Sequence, residues 1–309
     1  MRGWGLLLVA TALLGGCVTH ASLSPPADIA IAGTRVFPES LAADSLGTLY
    51  IGSNAGTIYR ARSGDTQATP WIMPSAANGL QQVFGVLVDE PRQRLWVCSD
   101  PRAGSGGKAE LKAFDLTSGA LRANYTFPGS GPALCNDIAI EGGGRVFATD
   151  TVGGRIVTLA PTAAALTDWG AAPEMRGIDG IAIDSDGTLY VNNVQKSWLA
   201  RVERADDGSF ARLAMVTPSL PLSGPDGLRP LGHGHFLQAE GPGGRVVELT
   251  ISGDRADMRT IANRIDYPAS MALVGRTVFV PEGKISYLTD PAMRGQDPET
   301  FMVHAVPLR

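Results

Sequence analysis

Asp179-Gly-Ile-Ala-Ile-Asp184, a turn through Ser185-Asp186-Gly187, and then Leu189-Tyr-Val-Asn192 form the stretch that decides the fold. It reads as a short apolar strand, a turn made of the residues that tight turns favour, and a second strand rich in β-branched and aromatic side chains. Working outward, the pattern recurs on both sides. Upstream lie Glu39-Ser-Leu-Ala-Ala-Asp44 with Leu49-Tyr-Ile-Gly52, Phe84-Gly-Val-Leu-Val-Asp89 with Leu95-Trp-Val-Cys98, and Asn136-Asp-Ile-Ala-Ile-Glu141 with Val146-Phe-Ala-Thr149. Downstream lie Asp226-Gly-Leu-Arg-Pro-Leu231 with Phe236-Leu-Gln-Ala239, and Ala269-Ser-Met-Ala-Leu-Val274 with Val278-Phe-Val-Pro281. The copies open at 39, 84, 136, 179, 226 and 269, at separations of 45, 52, 43, 47 and 43. A period of roughly 40 to 50 residues, with several strands in each copy, is the mark of a propeller.

A third strand is predicted in every copy: Thr57–Arg60, Leu111–Leu116, Arg155–Leu159, Leu199–Val202, Arg245–Leu249 and Lys284–Leu288. The sequence therefore predicts an all-β fold, a six-bladed β-propeller with four-stranded antiparallel blades, as a single domain over residues 22–309. Ile29–Phe37 is expected to pair with the last blade near Phe301–Val306 and close the ring. No long amphipathic helix is expected, and Pro161–Ala172 is at best one short helical turn. The Trp residues at 71, 96, 169 and 198 are expected to pack between blades. The 38 Gly and 21 Pro follow no Gly-X-Y period and fit a chain of many tight turns.

Residues 1–17 read differently. Arg2 precedes an apolar run from Leu6 to Leu14, and Leu14-Gly15-Gly16-Cys17 follows. The run has the length of a signal-peptide core and is too short to span a bilayer. The small residues before the cysteine resemble a bacterial lipobox, which implies that Cys17 is lipidated and heads the mature chain. With Val18 and Thr19 next, and no acidic retention signal, the expected address is the outer membrane facing the periplasm. The membrane is then met only through the lipid anchor, and a monomer is expected. Export permits a disulfide. Cys98 and Cys135 are read either as a bridge or as two buried thiols. The net charge of −4 is scattered, so no basic stripe invites nucleic acid.

The residue that opens each copy carries the chemistry. Those positions hold Glu39, Phe84, Asn136, Asp179, Asp226 and Ala269. The first strand of each propeller blade lines the central channel, so these six form a ring at one mouth of it. Three carboxylates and an amide converging there repel one another and lose hydration, and a divalent cation resolves that conflict. Oxygen ligands suit Ca²⁺, Mg²⁺ or Mn²⁺. Taken singly, Asp179-Gly180, Asn136-Asp137 and Pro225-Asp226-Gly227 are turn sequences. Their shared register is what points to a site.

The arrangement resembles the gluconolactonase / senescence marker protein (regucalcin) family of six-bladed propellers over nearly the whole mature chain. In that family a Glu opens the first blade, later blades open with Asn-Asp-Gly and Asn-Gly-Leu, and the next with Pro-Asp-Gly. The resemblance implies a metal held by Glu39, Asp179 and Asp226, with Asn136 contacting substrate or water. It implies one divalent cation, Ca²⁺ first, with Mn²⁺, Mg²⁺ or Zn²⁺ as alternatives. It implies metal-dependent hydrolysis of a sugar lactone or related ester, with Asp226 or Asp179 as base and a small-molecule substrate. The sequence departs from the family where Asp179 replaces the second Asn, where Phe37-Pro38-Glu39-Ser40 replaces Gly-Glu-x-Pro, and where Ile138 follows Asn136-Asp137 in place of Gly. The competing readings are a non-catalytic binding propeller and a strictosidine-synthase-like or lyase propeller. No Gly-x-Ser-x-Gly elbow is present. Gly104-Ser-Gly-Gly107-Lys108 lacks the spacing of a phosphate loop. His233 and His235 are read as exposed turn residues.

Overall fold

Leu49–Ser53, Val146–Asp150 and Leu189–Asn193 are buried at every residue. A strand with one wet face would alternate. These do not, because each sheet is covered on both faces by neighbours, and that is why they read as unbroken apolar runs. The computed structural model describes Met1, residues 27–102 and residues 104–309. The expected signal segment with Cys17, and residues 22–26 of the expected domain, lie outside the described residues.

Strand pairing resolves into six four-stranded antiparallel units. Blade 1 runs Pro38–Ala43, Leu49–Ser53, Ile58–Ala61 and Gln67–Ile72. Blade 2 runs Gln82–Asp89, Arg94–Asp100, Glu110–Asp115 and Leu121–Thr126. Blade 3 runs Cys135–Ile140, Val146–Asp150, Arg155–Leu159 and Thr167–Ala171. Blade 4 runs Ile178–Ile183, Leu189–Asn193, Trp198–Arg204 and Phe210–Pro218. Blade 5 runs Pro225–Gly232, His235–Glu240, Arg245–Ser252 and Arg255–Asn263. Blade 6 is composite: Ala272–Val274, Thr277–Pro281 and Phe301–Pro307 come from the end of the chain, and Ile29–Ile31 comes from its start. The predicted closure is thus present, with Ile29 opposite Val303 and Ile31 opposite Phe301. Short parallel bridges stitch outer edges together, Ala30 to Gln67 between blades 6 and 1, and Thr217 to Arg255 between blades 4 and 5.

Two local expectations fail. Lys284–Leu288 is not the third strand of blade 6. Ser286–Thr289 is a short helix, and Phe301–Pro307 takes the strand position after an excursion of the chain. The Lys284 ammonium donates to the carbonyls of Pro298 and Thr300, folding that excursion back onto the blade. Pro161–Ala172 contains no helical turn, since Thr167–Ala171 is the outer strand of blade 3. Tertiary packing decides it: Trp169 lies edge-on to Phe147 at 5.0 Å and to Phe210 at 6.0 Å.

The apolar interior is divided into six clusters, one at each blade interface. Leu41, Ile51, Phe301 and Val303 join blades 6 and 1, Ile58, Val83, Val97 and Phe114 join blades 1 and 2, and Cys98, Ile138, Ala148 and Val157 join blades 2 and 3. Phe147, Ile181 and Val191 join blades 3 and 4, Tyr190, Leu228 and Phe236 join blades 4 and 5, and Leu237, Met271 and Val280 join blades 5 and 6. Each fully buried Leu, Ile, Val or Phe contributes about 1.5–3 kcal/mol. Cys98 and Cys135 form a disulfide between blades 2 and 3, across 37 residues of chain.

The ring closure carries a titratable clasp. His304 Nδ1 lies 2.9 Å from Asp28 Oδ2 and its Nε2 lies 2.9 Å from Glu282 Oε1. The hydrogen bond to Glu282 lifts the imidazole from 6.5 to about 9, with Asp28 adding to it and burial opposing it. A raised folded-state value stabilises fully below pH 6.5 and loses that contribution as the pH climbs through about 9. The clasp is partly solvent-screened, so its contribution is on the order of 1 kcal/mol. Thermal unfolding of the wild type should fall across that window, and His304→Gln should flatten the fall. An unchanged slope in the variant would place the pH dependence elsewhere.

Candidate active site at the channel mouth

The first five inner strands all break register at their opening residues. The slips fall between Pro38 and Ser40, Val83 and Val86, Cys135 and Ile138, Ile178 and Ile181, and Pro225 and Leu228. A β-bulge of this kind frees a residue from the ladder and re-aims its side chain. Glu39, Phe84, Asn136, Asp179 and Asp226 are therefore bulge residues. Three bulges place glycine second, where the next blade's backbone comes close. A Cβ on Gly85 would stand 2.2 Å from the Asn136 carbonyl, on Gly180 2.3 Å from that of Asp226, and on Gly227 2.8 Å from that of Ala269.

Second-strand side chains pin the bulges across blade boundaries. Thr149 Oγ1 accepts the Asp137 N–H and donates to the Asp179 carbonyl at 2.7 Å. Asn192 accepts the Gly180 N–H and donates to the Asp226 carbonyl at 2.6 Å. Thr151 Oγ1 donates to the Ile178 carbonyl and accepts from Asn136 Nδ2.

The ring brings Glu39, Asn136, Asp179 and Asp226 together. Asn136 Nδ2 donates to Asp179 Oδ2 at 2.8 Å as well as to Thr151, so both of its N–H groups are engaged. Asp179 and Asp226 are 4% and 7% exposed and within hydrogen-bonding reach of one another. Burial raises Asp179 well above the usual carboxylate range, and the charges of Asp137 and Glu39 raise it further. Burial does the same to Asp226, reinforced by Asp179 and Glu39. Glu39 is pushed up to about 7 by burial. Its Oε2 accepts from Asn54 Nδ2 at 3.3 Å, and Gln82 Nε2 donates to Asn54 Oδ1 at 3.3 Å. Phe84 and Ala269 supply no charge, and Ala269 precedes its strand, which begins only at Ala272.

The donor chemistry fits a hard cation. It is all oxygen, the acids are shielded from water, and Asp179 Oδ1 is buried without a hydrogen-bond partner. As the side chains stand, no group of three His, Cys, Asp or Glu residues among the described residues encloses an ion. Asp179 and Asp226 lie against each other, and Glu39 is drawn aside to Asn54.

Beneath the ring lies an ion pair that the sequence reading passed over. Arg229 of blade 5 reaches Asp137 of blade 3 at 2.7 Å and donates to Ser270 Oγ ahead of blade 6 at 3.2 Å. The side chains are 14% and 5% exposed. Both are odd in their registers. The position after the opening residue otherwise holds Ser40, Gly85, Gly180, Gly227 and Ser270, and the position of Arg229 otherwise holds Ala42, Leu87, Ala139, Ala182 and Ala272. Four of those five are alanine, which leaves room for one guanidinium to cross. Below it lie two cavities of about 190 and 180 Å³, lined mostly by apolar side chains and both bounded by Arg229 and Leu87.

Tyr267 was also missed. Its hydroxyl titrates far above normal because of burial and then the charges of Asp226, Glu39 and Asp179, which places the phenol beside the acids. Tyr267 and Phe37 each precede a proline and each adopt positive φ, 56° and 47°. That conformation is strained for an aromatic residue and doubly so before proline.

Comparison with known proteins agrees with the architecture. A family model described as strictosidine synthase-like, N-terminal, matches residues 27–61. A gluconolactonase of Xanthomonas campestris superposes with a TM-score of 0.65 at 17% identity, over 88% of this chain and 87% of its own. A luciferin-regenerating enzyme gives 0.66 at 13%, over 89% and 92%. Virginiamycin B lyase of Staphylococcus aureus gives 0.58 at 12%, over 91% and 98%. No curated sequence relative matches. At these identities the likeness establishes the propeller fold, and the likeness to gluconolactonase-like propellers is a distant one.

Arg229→Ala should cost about 3–5 kcal/mol in urea unfolding, because it strands a buried carboxylate. Arg229→Ala combined with Asp137→Ala should cost much less. Equal losses in the two proteins would mean that the pairing is not what matters.

Proposed function

We propose that the chain is a divalent-metal-dependent hydrolase of a sugar lactone or related ester, tethered in the cell envelope through a lipid on Cys17. The observation that carries the reading is Asp179, a buried carboxylate with one unpartnered oxygen, facing two further acids from different blades. Glu39, Asp179 and Asp226 would hold the cation. When bound, such an ion polarises a carbonyl and stabilises the oxyanion that forms as water adds to it.

The chain's own groups supply the rest. Asp226, on the inner strand of blade 5, takes the proton of an attacking water. Asn136 holds Asp179 in place through its amide and leaves its Oδ1 for a substrate hydroxyl. Asn54 and Gln82 orient Glu39 from the side. Tyr267 stands beside the acids. The Cys98–Cys135 disulfide supports export, since such bridges persist in oxidising compartments. The gluconolactonase and the luciferin-regenerating enzyme among the structural neighbours support an enzyme of this class.

A second reading, a strictosidine-synthase-like or lyase propeller, is favoured by the family match over residues 27–61 and by the lyase neighbour. Solvent oxygen separates them: a hydrolase incorporates it into product and a lyase does not.

Chelation should abolish turnover of a panel of aldonolactones and aryl esters, and Ca²⁺, Mn²⁺ or Zn²⁺ should restore it. Glu39→Gln and Asp226→Asn should each lower the metal-restored rate by about 100-fold or more without changing the circular dichroism. Full activity in either variant overturns the site. Bound metal with no turnover on any ester points to a binding propeller.

A further inference from the structure

The acidic ring has a basic neighbour. A cavity of about 330 Å³ opens beside it, lined by Arg35, Phe37, Asn54, Gln82, Arg102 and Leu288 among others. Its inner wall is continuous with the acids, because Asn54 donates to Glu39 and accepts from Gln82.

The two arginines come from separate blades. Arg35 lies in the turn before the inner strand of blade 1, and Arg102 follows the second strand of blade 2. Neither takes part in an ion pair among the described residues. Each is instead steered by a backbone carbonyl. Arg35 Nη1 donates to Gln296 O at 3.1 Å, and Arg102 Nη2 donates to Ala55 O at 3.0 Å. Arg35 is further fixed over the Phe37 ring at 5.1 Å, and its own φ of 53° lies in the left-handed region. A strained backbone that holds a charged side chain at a cavity wall is the pattern of a built contact.

From this we infer that the cavity is a subsite for an anionic group, a carboxylate or a phosphate, carried by the substrate at the end remote from the reacting carbonyl. This deepens the hydrolase reading and rests on it. A guanidinium matches the two oxygens of such a group and binds it with charge-assisted hydrogen bonds. Two guanidinium groups facing one cavity also offset the repulsion that an anion meets on approaching three carboxylates. Phe37 and Leu288 offer the carbon skeleton an apolar wall between the two ends.

The test compares neutral gluconolactone, glucarolactone (a carboxylate) and gluconolactone phosphate on the metal-loaded full chain. At low salt, kcat/KM for at least one charged lactone should exceed that for the neutral one by about tenfold. The advantage should shrink as salt rises. Arg35→Gln and Arg102→Gln should each reduce the ratio of charged to neutral turnover. The carboxylate and phosphate arms tell which anion is meant. Turnover with equal rates for charged and neutral lactones overturns the subsite and leaves the hydrolase standing. Should no lactone turn over, calorimetry with glucarate against neutral glucitol reads the subsite alone. Salt-sensitive binding of glucarate, lost in the arginine variants, then supports it, and no preference overturns it.

Discussion

Thr149 and Asn192 each stand on the second strand of one blade and donate to the inner-strand carbonyl of the next, at 2.7 and 2.6 Å. These bonds hold the bulges open. A bulge leaves backbone groups without ladder partners, and a buried polar group left unpaired is costly. The side-chain clamps satisfy those groups, and glycine at positions 85, 180 and 227 lets the adjoining strand close over them. With the backbone so fixed, the acidic bulge residues Glu39, Asp179 and Asp226 are held close to one another. The concentration of acid at the mouth is thus a result of how neighbouring blades are joined.

That concentration is energetically adverse by itself. Asp179 and Asp226 are nearly buried, face each other, and are protonated more readily than ordinary carboxylates. The six interface clusters supply the stability that tolerates this arrangement. Such a division of labour, with apolar contacts between sheets and polar groups at the axis, lets the site vary without disturbing the ring.

The fold was legible because each blade repeats its pattern, and repetition exposes what any single short apolar run leaves ambiguous. The ring of Glu39, Asn136, Asp179 and Asp226 was legible for the same reason, one register compared across copies. Arg229 carried an equal signal, a lone charge where four other copies hold alanine and one leucine, but it lies three residues deeper than the position under scrutiny. Asn54, Gln82 and Tyr267 stand at strand ends or in loops, where copies differ in length and no register relates them. The third strand of blade 6 was misplaced because residues 290–300 interrupt the repeat, and Lys284-Ile-Ser-Tyr-Leu288 happens to imitate a strand.

The Asp137–Arg229 bridge ties blade 3 directly to blade 5. Because these two blades are not neighbours in the ring, the pair opposes their moving apart, a restraint that no interface between adjacent blades can supply.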